Sequence, residues 1–335
     1  MPSGIGVVGA GAWGTTLAKV LAEKGEQVVL WCHGADSCRQ IADKRENQTY
    51  LPGIALPPNI EVTQSLDEAV ESKFLVICAV PSHAVREVFT KSAAKIEPET
   101  MLLCGTKGIE EGSLKTMGEL LVEILGPERK TRQAFLSGPT FAIEVARRLP
   151  AAVTVGAYDE GVAKTIQEIF STQNFRVYTS PDIVGVQMGG VVKNVIAIAA
   201  GISDGLSLGQ NARAALITRG LAEMTRLAVR MGADPMTLAG LPGLGDLILT
   251  CTGDLSRNRT VGLQIASGKS LQEITASTRT VAEGVRNTRS LHSLAARLRI
   301  EMPIIDQMYQ VLYAGKKPGA AVRDLMQRSL KPEAG

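Results

Sequence analysis

Aromatic side chains are scarce, at 4% of 335 residues. Proteins that hold single-stranded nucleic acid stack bases on such rings, so that class is disfavoured from the start. Charge of one sign is also missing. Lys and Arg number 36 against 33 Asp and Glu, a net charge of +3. No nucleic-acid footprint follows from that balance, although it leaves room for a local basic pocket that binds a small anion. Long hydrophobic runs are absent as well. A membrane-spanning helix takes roughly 20 consecutive apolar residues, whereas the longest unbroken apolar run, Phe74–Val80, has seven. The first strand-like run starts at Ile5 with no basic segment or longer apolar stretch before it, so no secretory leader is expected. The expectation is a soluble, cytoplasmic protein with no nucleic-acid partner and no membrane insertion.

Cysteines and histidines are few and scattered. Cys32, Cys38, Cys78, Cys104 and Cys251 are odd in number and form no CxxC pair, so reduced thiols are expected rather than a disulfide framework. His33, His83 and His292 lie far apart, and no metal site is expected. What is present is ordinary globular material, 45% hydrophobic and 21% charged. The length suggests two domains.

The first half alternates short apolar runs with amphipathic stretches. Ile5–Val8, Val28–Trp31, Ile60–Thr63, Phe74–Val80, Met101–Cys104, Ala134–Ser137 and Ala151–Val155 read as strands. Helical patterns such as Gly14–Lys24, Gly34–Lys44 and Ser82–Lys95 lie between them. The alternation predicts βαβ units and a mostly parallel sheet covered on both faces. Ser65 and Glu68 have capping-box spacing. Beyond about Tyr178 strand signals fade, Pro181 and Asp182 mark a helix start, and Met188–Ala200, Asn211–Met231 and Thr280–Arg299 read as long helices. The predicted fold is α/β, with a Rossmann-like, mostly parallel domain over residues 1–180 and a mostly helical domain over 181–335.

Gly9-Ala10-Gly11-Ala12-Trp13-Gly14 is a GxGxxG loop between an apolar strand and a helix. The first glycine allows the tight turn, the second lets a pyrophosphate approach the backbone, and the third lets helix and strand pack closely. Cofactors selective for NAD usually meet an acid at the end of the second strand. Trp31-Cys32-His33 stands there instead, with Asp36 already in the next helix. That favours NADP(H), with NAD(H) also usable, and makes His33, with Arg39 near it, a candidate for the ribose phosphate. His83, in Val80-Pro81-Ser82-His83, sits in a helix's first turn and is not assigned a role.

Lys107, after the fifth strand, and Gly138-Pro139-Thr140, after the sixth, would lie at the carboxyl edge of the sheet, where anions bind; Pro139 is expected to open a helix. Lys193, with Asn194, interrupts an otherwise apolar helix of small residues. A buried ammonium needs a carboxylate partner or a catalytic purpose. Bringing a lysine from about 10.4 to near 7, as a general base requires, takes roughly 4–5 kcal/mol of environment. Asp246, in Gly243-Leu244-Gly245-Asp246-Leu247-Ile248-Leu249-Thr250, is a plausible partner and Lys107 a plausible second cation. Ser256-Arg257-Asn258-Arg259 has the donors for a phosphate, or is a solvated basic turn.

These segments, together with Gly105-Thr106-Lys107-Gly108 and Ser137-Gly138-Pro139-Thr140-Phe141-Ala142, resemble the bacterial, soluble, NAD(P)-dependent glycerol-3-phosphate dehydrogenases from about Ile5 to about Gly315. The resemblance implies an oxidoreductase interconverting dihydroxyacetone phosphate and sn-glycerol 3-phosphate, supplying glycerophospholipid synthesis, and a homodimer. It implies Lys193 as general base or acid, Lys107 at the reacting oxygen, and Asp246 and Asn194 orienting Lys193 and the substrate hydroxyls. Gly138, Thr140, Ser256, Arg257 and Asn258 would complete the substrate pocket. Gly9, Gly11, Ala12, Trp13, Gly14, His33, Lys107, Ala142, Arg257, Val281 and Glu283 would contact the cofactor. Ala12 stands where the family often has serine, and Val191 where alanine is common. The alternatives are a related hydroxy-acid or sugar-acid dehydrogenase and a non-catalytic dinucleotide sensor.

Overall fold

The computed structural model describes residues 4–277, 282–330 and 332–333. The expected apolar runs pair into one sheet. Its strands are β1 (Ile5–Val8), β2 (Val28–Trp31), β3 (Ile60–Thr63), β4 (Leu75–Cys78), β5 (Met101–Cys104), β6 (Gln133–Ser137), β7 (Ala151–Ala157) and β8 (Phe175–Ser180). The spatial order is β3-β2-β1-β4-β5-β6-β7-β8. Every pairing is parallel except β6 with β7. Strand order reverses between β1 and β4, which opens a crevice at their carboxyl ends, the usual ligand position in open α/β sheets.

β8 is an addition to the expected strands. Phe175 and Val177 are buried while Arg176 and Tyr178 face outward, a period of two on an edge strand with one covered face. A search for continuous apolar runs passes over that pattern. The expected capping box at Ser65 is half formed. Ser65 Oγ accepts from the Glu68 N–H at 3.3 Å, but the Glu68 carboxylate turns to Thr63 Oγ1 at 2.5 Å. All five cysteines are free and buried, Cys38 included.

After β8 the described chain is helical. Asp182 caps the helix Ile183–Gly205 by accepting the Gly185 N–H at 2.8 Å. This helix is long and apolar enough to cross a bilayer, yet 89% of its most apolar window is buried inside the protein. It is the core element around which the helices Gly209–Arg230, Asp246–Thr252, Arg257–Ala266 and Glu283–Leu298 pack. Asp204, near its end, draws Arg213 and Arg259 inward at 3.2 and 2.8 Å.

One buried carboxylate in this assembly titrates. Glu223, on the helix Gly209–Arg230, is 4% exposed and accepts the N–H groups of Ile304 and Ile305 at 2.7 and 3.3 Å. Burial pushes its carboxyl up to about 7, against the lowering effect of those two donors. The folded state therefore holds a proton that the unfolded chain has released. Stability is expected to fall by about 3 kcal/mol as pH rises from about 4.5 to about 7. Glu223→Gln keeps the acceptor oxygen and should remove that dependence, as urea titrations at pH 5 and pH 8 would read.

Candidate active site

β1 ends at Val8 and the glycine loop turns directly into the helix Ala12–Glu23. Gly9 has φ +121°, and a Cβ there would lie 2.8 Å from the backbone of Ala79 and Val80. Around Gly11, by contrast, a Cβ would meet nothing within 4 Å. The helix opens with no side-chain cap and no acid in its first turn. Its first N–H groups are therefore open to an anion, with the positive end of the helix dipole behind them. The donor set and the bare Gly11 fit a dinucleotide diphosphate.

Trp13 lies against Gly105, where a Cβ would be 3.0 Å from Nε1, and that buried N–H has no hydrogen-bond partner among the described residues. Ala142 starts the helix Ala142–Ala146, and its carbonyl accepts from Thr16 Oγ1 at 3.1 Å, tying this segment to the glycine-loop helix. His33 is exposed at the tip of β2, edge-on to Trp31. Its neighbour Arg39 is drawn to Asp36 at 2.5 Å. Glu283 accepts from the backbone N–H and Oγ of Ser82, at 3.0 and 2.6 Å, and so ties the start of the helix Glu283–Leu298 to the loop after β4. His83, beside it, has its imidazole lowered by burial and by Arg286. Val281 lies outside the described residues.

The chemistry converges on Asp246, which is fully buried. Asp246 follows a π-helical turn, Leu241–Gly245, and opens the helix Asp246–Thr252. Such turns are rare and often mark functional sites. Lys193 Nζ meets Asp246 Oδ1 at 2.5 Å and Thr250 Oγ1 at 2.9 Å. Lys107 Nζ meets the other oxygen, Oδ2, at 2.6 Å. One carboxylate thus serves two cations and leaves a net positive charge for an anionic ligand. The Lys107 side chain keeps 20% exposure against 8% for Lys193, so Lys107 is the more accessible cation. Burial lowers Lys193 to about 8, with Asp246 opposing and Lys107 reinforcing the shift. An amine in that range exchanges its proton near neutral pH.

Thr250 was not singled out from the sequence. It stands four residues after Asp246, so one helical turn places both on one face. Its hydroxyl donates to the Asp246 carbonyl at 2.6 Å and accepts from Lys193.

Asn194 and Asn258 are buried and joined. Asn258 Nδ2 donates to Asn194 Oδ1 at 2.9 Å, Asn194 Nδ2 to the Gly190 carbonyl at 3.1 Å, and the Gly284 N–H to Asn258 Oδ1 at 3.0 Å. Ser256 is the N-cap of the helix Arg257–Ala266, accepting the Arg259 N–H at 3.2 Å. Arg257, its first residue, makes no hydrogen bond or ion pair among the described residues, and burial lowers its guanidinium with Glu283 opposing. Pro139 does not open a helix. The helix there begins at Ala142 with Phe141 as its N-cap, while Pro139 packs beside Gly245, 3.5 Å from where a Cβ would stand. Thr140 Oγ1 instead turns back to the Gly138 carbonyl at 3.2 Å.

Residues 4–163 match the family model described as NAD-dependent glycerol-3-phosphate dehydrogenase N-terminus, and residues 182–323 match its C-terminus. The chain belongs to the NAD-dependent glycerol-3-phosphate dehydrogenase family. A glycerol-3-phosphate dehydrogenase, NAD(P)+, of Citrifermentans bemidjiense is 54% identical over 333 residues, 99% of each chain. One of Syntrophobacter fumaroxidans is 51% identical over 329 residues, 98% of this chain and 97% of that one. The crystal structure of glycerol-3-phosphate dehydrogenase from Coxiella burnetii superposes with a TM-score of 0.93 at 41% identity, covering 97% of this chain and 99% of that one. Glycerol-3-phosphate dehydrogenase family membership makes the chain an NAD(P)-dependent oxidoreductase acting on a CH–OH group.

Proposed function

We propose that the chain reduces dihydroxyacetone phosphate to sn-glycerol 3-phosphate with NADPH or NADH, runs the reverse reaction, and supplies glycerophospholipid synthesis. The observation that carries this reading is the Lys193–Asp246–Lys107 cluster. A lysine lowered to about 8 faces a second, partly exposed lysine across one buried carboxylate. The nicotinamide cofactor, when bound, accepts or supplies the hydride. In alcohol oxidation, neutral Lys193 takes the proton of the C2 hydroxyl as the hydride leaves C2. In carbonyl reduction, protonated Lys193 returns it to the C2 oxygen. Lys107 stabilises that oxygen as negative charge develops. Asp246 and Thr250 hold the Lys193 amine in place, and Asn194 and Asn258 brace the helix that carries it.

Arg257 supports the phosphate assignment because its guanidinium, lowered by burial with Glu283 opposing, has no hydrogen-bond or ion-pair partner among the described residues beside the capped turn at Ser256. Charge-assisted hydrogen bonds are worth about 1.5–3 kcal/mol. Arg257→Ala is therefore expected to raise the KM for dihydroxyacetone phosphate roughly 10- to 100-fold. Steady-state kinetics over a substrate series would check this, and an unchanged KM would remove Arg257 from the phosphate site. Gly138 and Thr140 close the same pocket in this reading. Residues 1–180 bind the cofactor and residues 181–335 carry the general base. NADP(H) preference is supported by the absence of an acid at the tip of β2 and by the exposed His33. Homodimer formation and a cytoplasmic setting are supported by the family likeness.

The direct test follows loss of reduced-nicotinamide absorbance when dihydroxyacetone phosphate is added, with NADPH and NADH in parallel. Turnover is expected with both, faster with NADPH. No turnover with either, while cofactor binding is demonstrated, overturns the substrate assignment.

A further inference from the structure

Glycine inside a helix costs roughly 1 kcal/mol relative to alanine. The central helix nevertheless places two in succession, Gly189 and Gly190, one turn before Lys193. Each meets a different member of the lysine–carboxylate cluster or the turn that delivers it. A Cβ on Gly189 would lie 2.2 Å from the Pro242 carbonyl oxygen, 2.7 Å from its carbon and 3.1 Å from the Gly243 nitrogen. All three are backbone atoms of the π-helical turn that ends at Asp246. That turn is hemmed in on another side, since a Cβ on Gly243 would lie 2.0 Å from the Leu238 carbonyl oxygen. A Cβ on Gly190 would lie 3.2 Å from both Cγ and Cδ of Lys107, and 3.0 Å from Ser137 Oγ. The aliphatic stem of Lys107 therefore crosses the central helix over bare backbone on its way to Asp246.

We infer that Gly189 and Gly190 are positioning residues for the reaction, Gly189 setting the distance of Asp246 from Lys193 and Gly190 setting that of Lys107. The inference rests on the proposed role of Lys193. Alanine at 189 pushes the Pro242–Gly243 backbone back by about an ångström to reach ordinary contact, and Asp246 goes with it. Alanine at 190 lifts the Lys107 stem and draws its ammonium away from the shared carboxylate.

The two substitutions act on Lys193 with opposite sign. Asp246 favours the ammonium form of Lys193 and Lys107 disfavours it. Other groups on the helices packed here carry charges that are engaged elsewhere. Arg213 and Arg259 pair with Asp204, Glu223 meets the Ile304 and Ile305 N–H groups, Glu283 is held by Ser82, and Asp306 meets His292. Thr250 is neutral, and burial pushes the Cys251 thiol up to about 12, so it is neutral too. Arg257 feels the charge of Glu283.

The test measures kcat for glycerol 3-phosphate oxidation against pH, and separately titrates Lys193 by NMR of its ¹³Cε in the cofactor-free protein. Gly189→Ala should move the acid limb to lower pH by roughly one pH unit, and Gly190→Ala should move it to higher pH by less, because the Lys107 stem has to give only a few tenths of an ångström. For Gly189→Ala the KM for NADP+ should stay unchanged, because the glycine loop is untouched. Shifts of the same sign, or lost activity with no shift, would overturn the inference and leave both glycines merely structural. Should Gly189→Ala fail to fold, Gly190→Ala in a Lys107→Ala background decides. It should add no shift to that of Lys107→Ala alone, and an undiminished further shift overturns the inference. Opposite NMR shifts without turnover on dihydroxyacetone phosphate would sink the substrate reading and keep the positioning role. Turnover with unmoved titrations would do the reverse.

Discussion

Lys193→Ala is expected to lower kcat by roughly 10³-fold with dihydroxyacetone phosphate, while NADPH affinity stays near that of the parent protein. The reason lies in the separation of the two functions. The glycine loop, Gly9–Gly14, offers its open backbone N–H groups at the start of another helix, in the sheet domain. Lys193 is buried on the central helix and donates only to Asp246 and Thr250 among the described residues. Its removal takes away the proton donor and leaves Asp246 paired with Lys107, so no uncompensated buried charge remains. Steady-state kinetics with fluorescence titration of NADPH would check both halves. A kcat within tenfold of the parent would take Lys193 out of proton transfer, and lost NADPH binding would point to a folding defect.

Asp246→Asn is expected to combine a kinetic and a stability effect. The substitution removes the negative charge between two lysines and leaves two ammonium groups facing a neutral amide. Breaking a buried ion pair costs about 3 kcal/mol or more. Loss of Asp246 also takes away what keeps Lys193 as high as about 8, so its titration moves down. At pH 7 less Lys193 is then protonated, and carbonyl reduction, which needs the acid form, should slow roughly 100-fold. Alcohol oxidation should instead have its acid limb displaced to lower pH. Chemical denaturation and pH–rate profiles in both directions would measure these effects. Unchanged stability with an unmoved profile would show that the carboxylate does not govern Lys193.

The parent protein has its own signature of the same group. Lys193 is lowered in the folded state from the usual 10.5 to about 8. Its contribution to stability is complete above 10.5 and is lost as pH falls through about 8. This slope is opposite in sign to that of Glu223 and lies at higher pH, so the two are separable in one set of urea titrations.

Much of the fold was legible because its signals are local. Each expected parallel strand is a short apolar run, and the glycine loop follows β1 directly in sequence. β8 was harder to see because an edge strand buries only one face, and its alternation of Phe175, Arg176, Val177 and Tyr178 resembles ordinary amphipathic chain. Pro139 misled for a similar reason. Its ring suits a helix start, but Thr140 turns back to the Gly138 carbonyl and the helix begins only at Ala142, with Phe141 as its N-cap. Thr250 needed the Asp246–Thr252 helix before its four-residue spacing had meaning. The tie between Ser82 and Glu283 joins residues 201 positions apart and has no local signature.

The sequence by itself determined the mostly parallel sheet, the glycine-rich turn after β1 and the presence of an anomalous lysine in an apolar helix. Periodicity and turn chemistry are properties of neighbouring residues, so they survive without tertiary context. Only the tertiary structure decided what the lysine meets. Asp246 lies 53 residues from Lys193 and 139 from Lys107, and a π-helical turn brings it between them. The proton affinity of a buried amine depends on how much water is excluded and on which charges lie within a few ångströms. Neither is written in the spacing of residues along the chain; both arise where folding buries Lys193 against Asp246 with Lys107 on the same carboxylate.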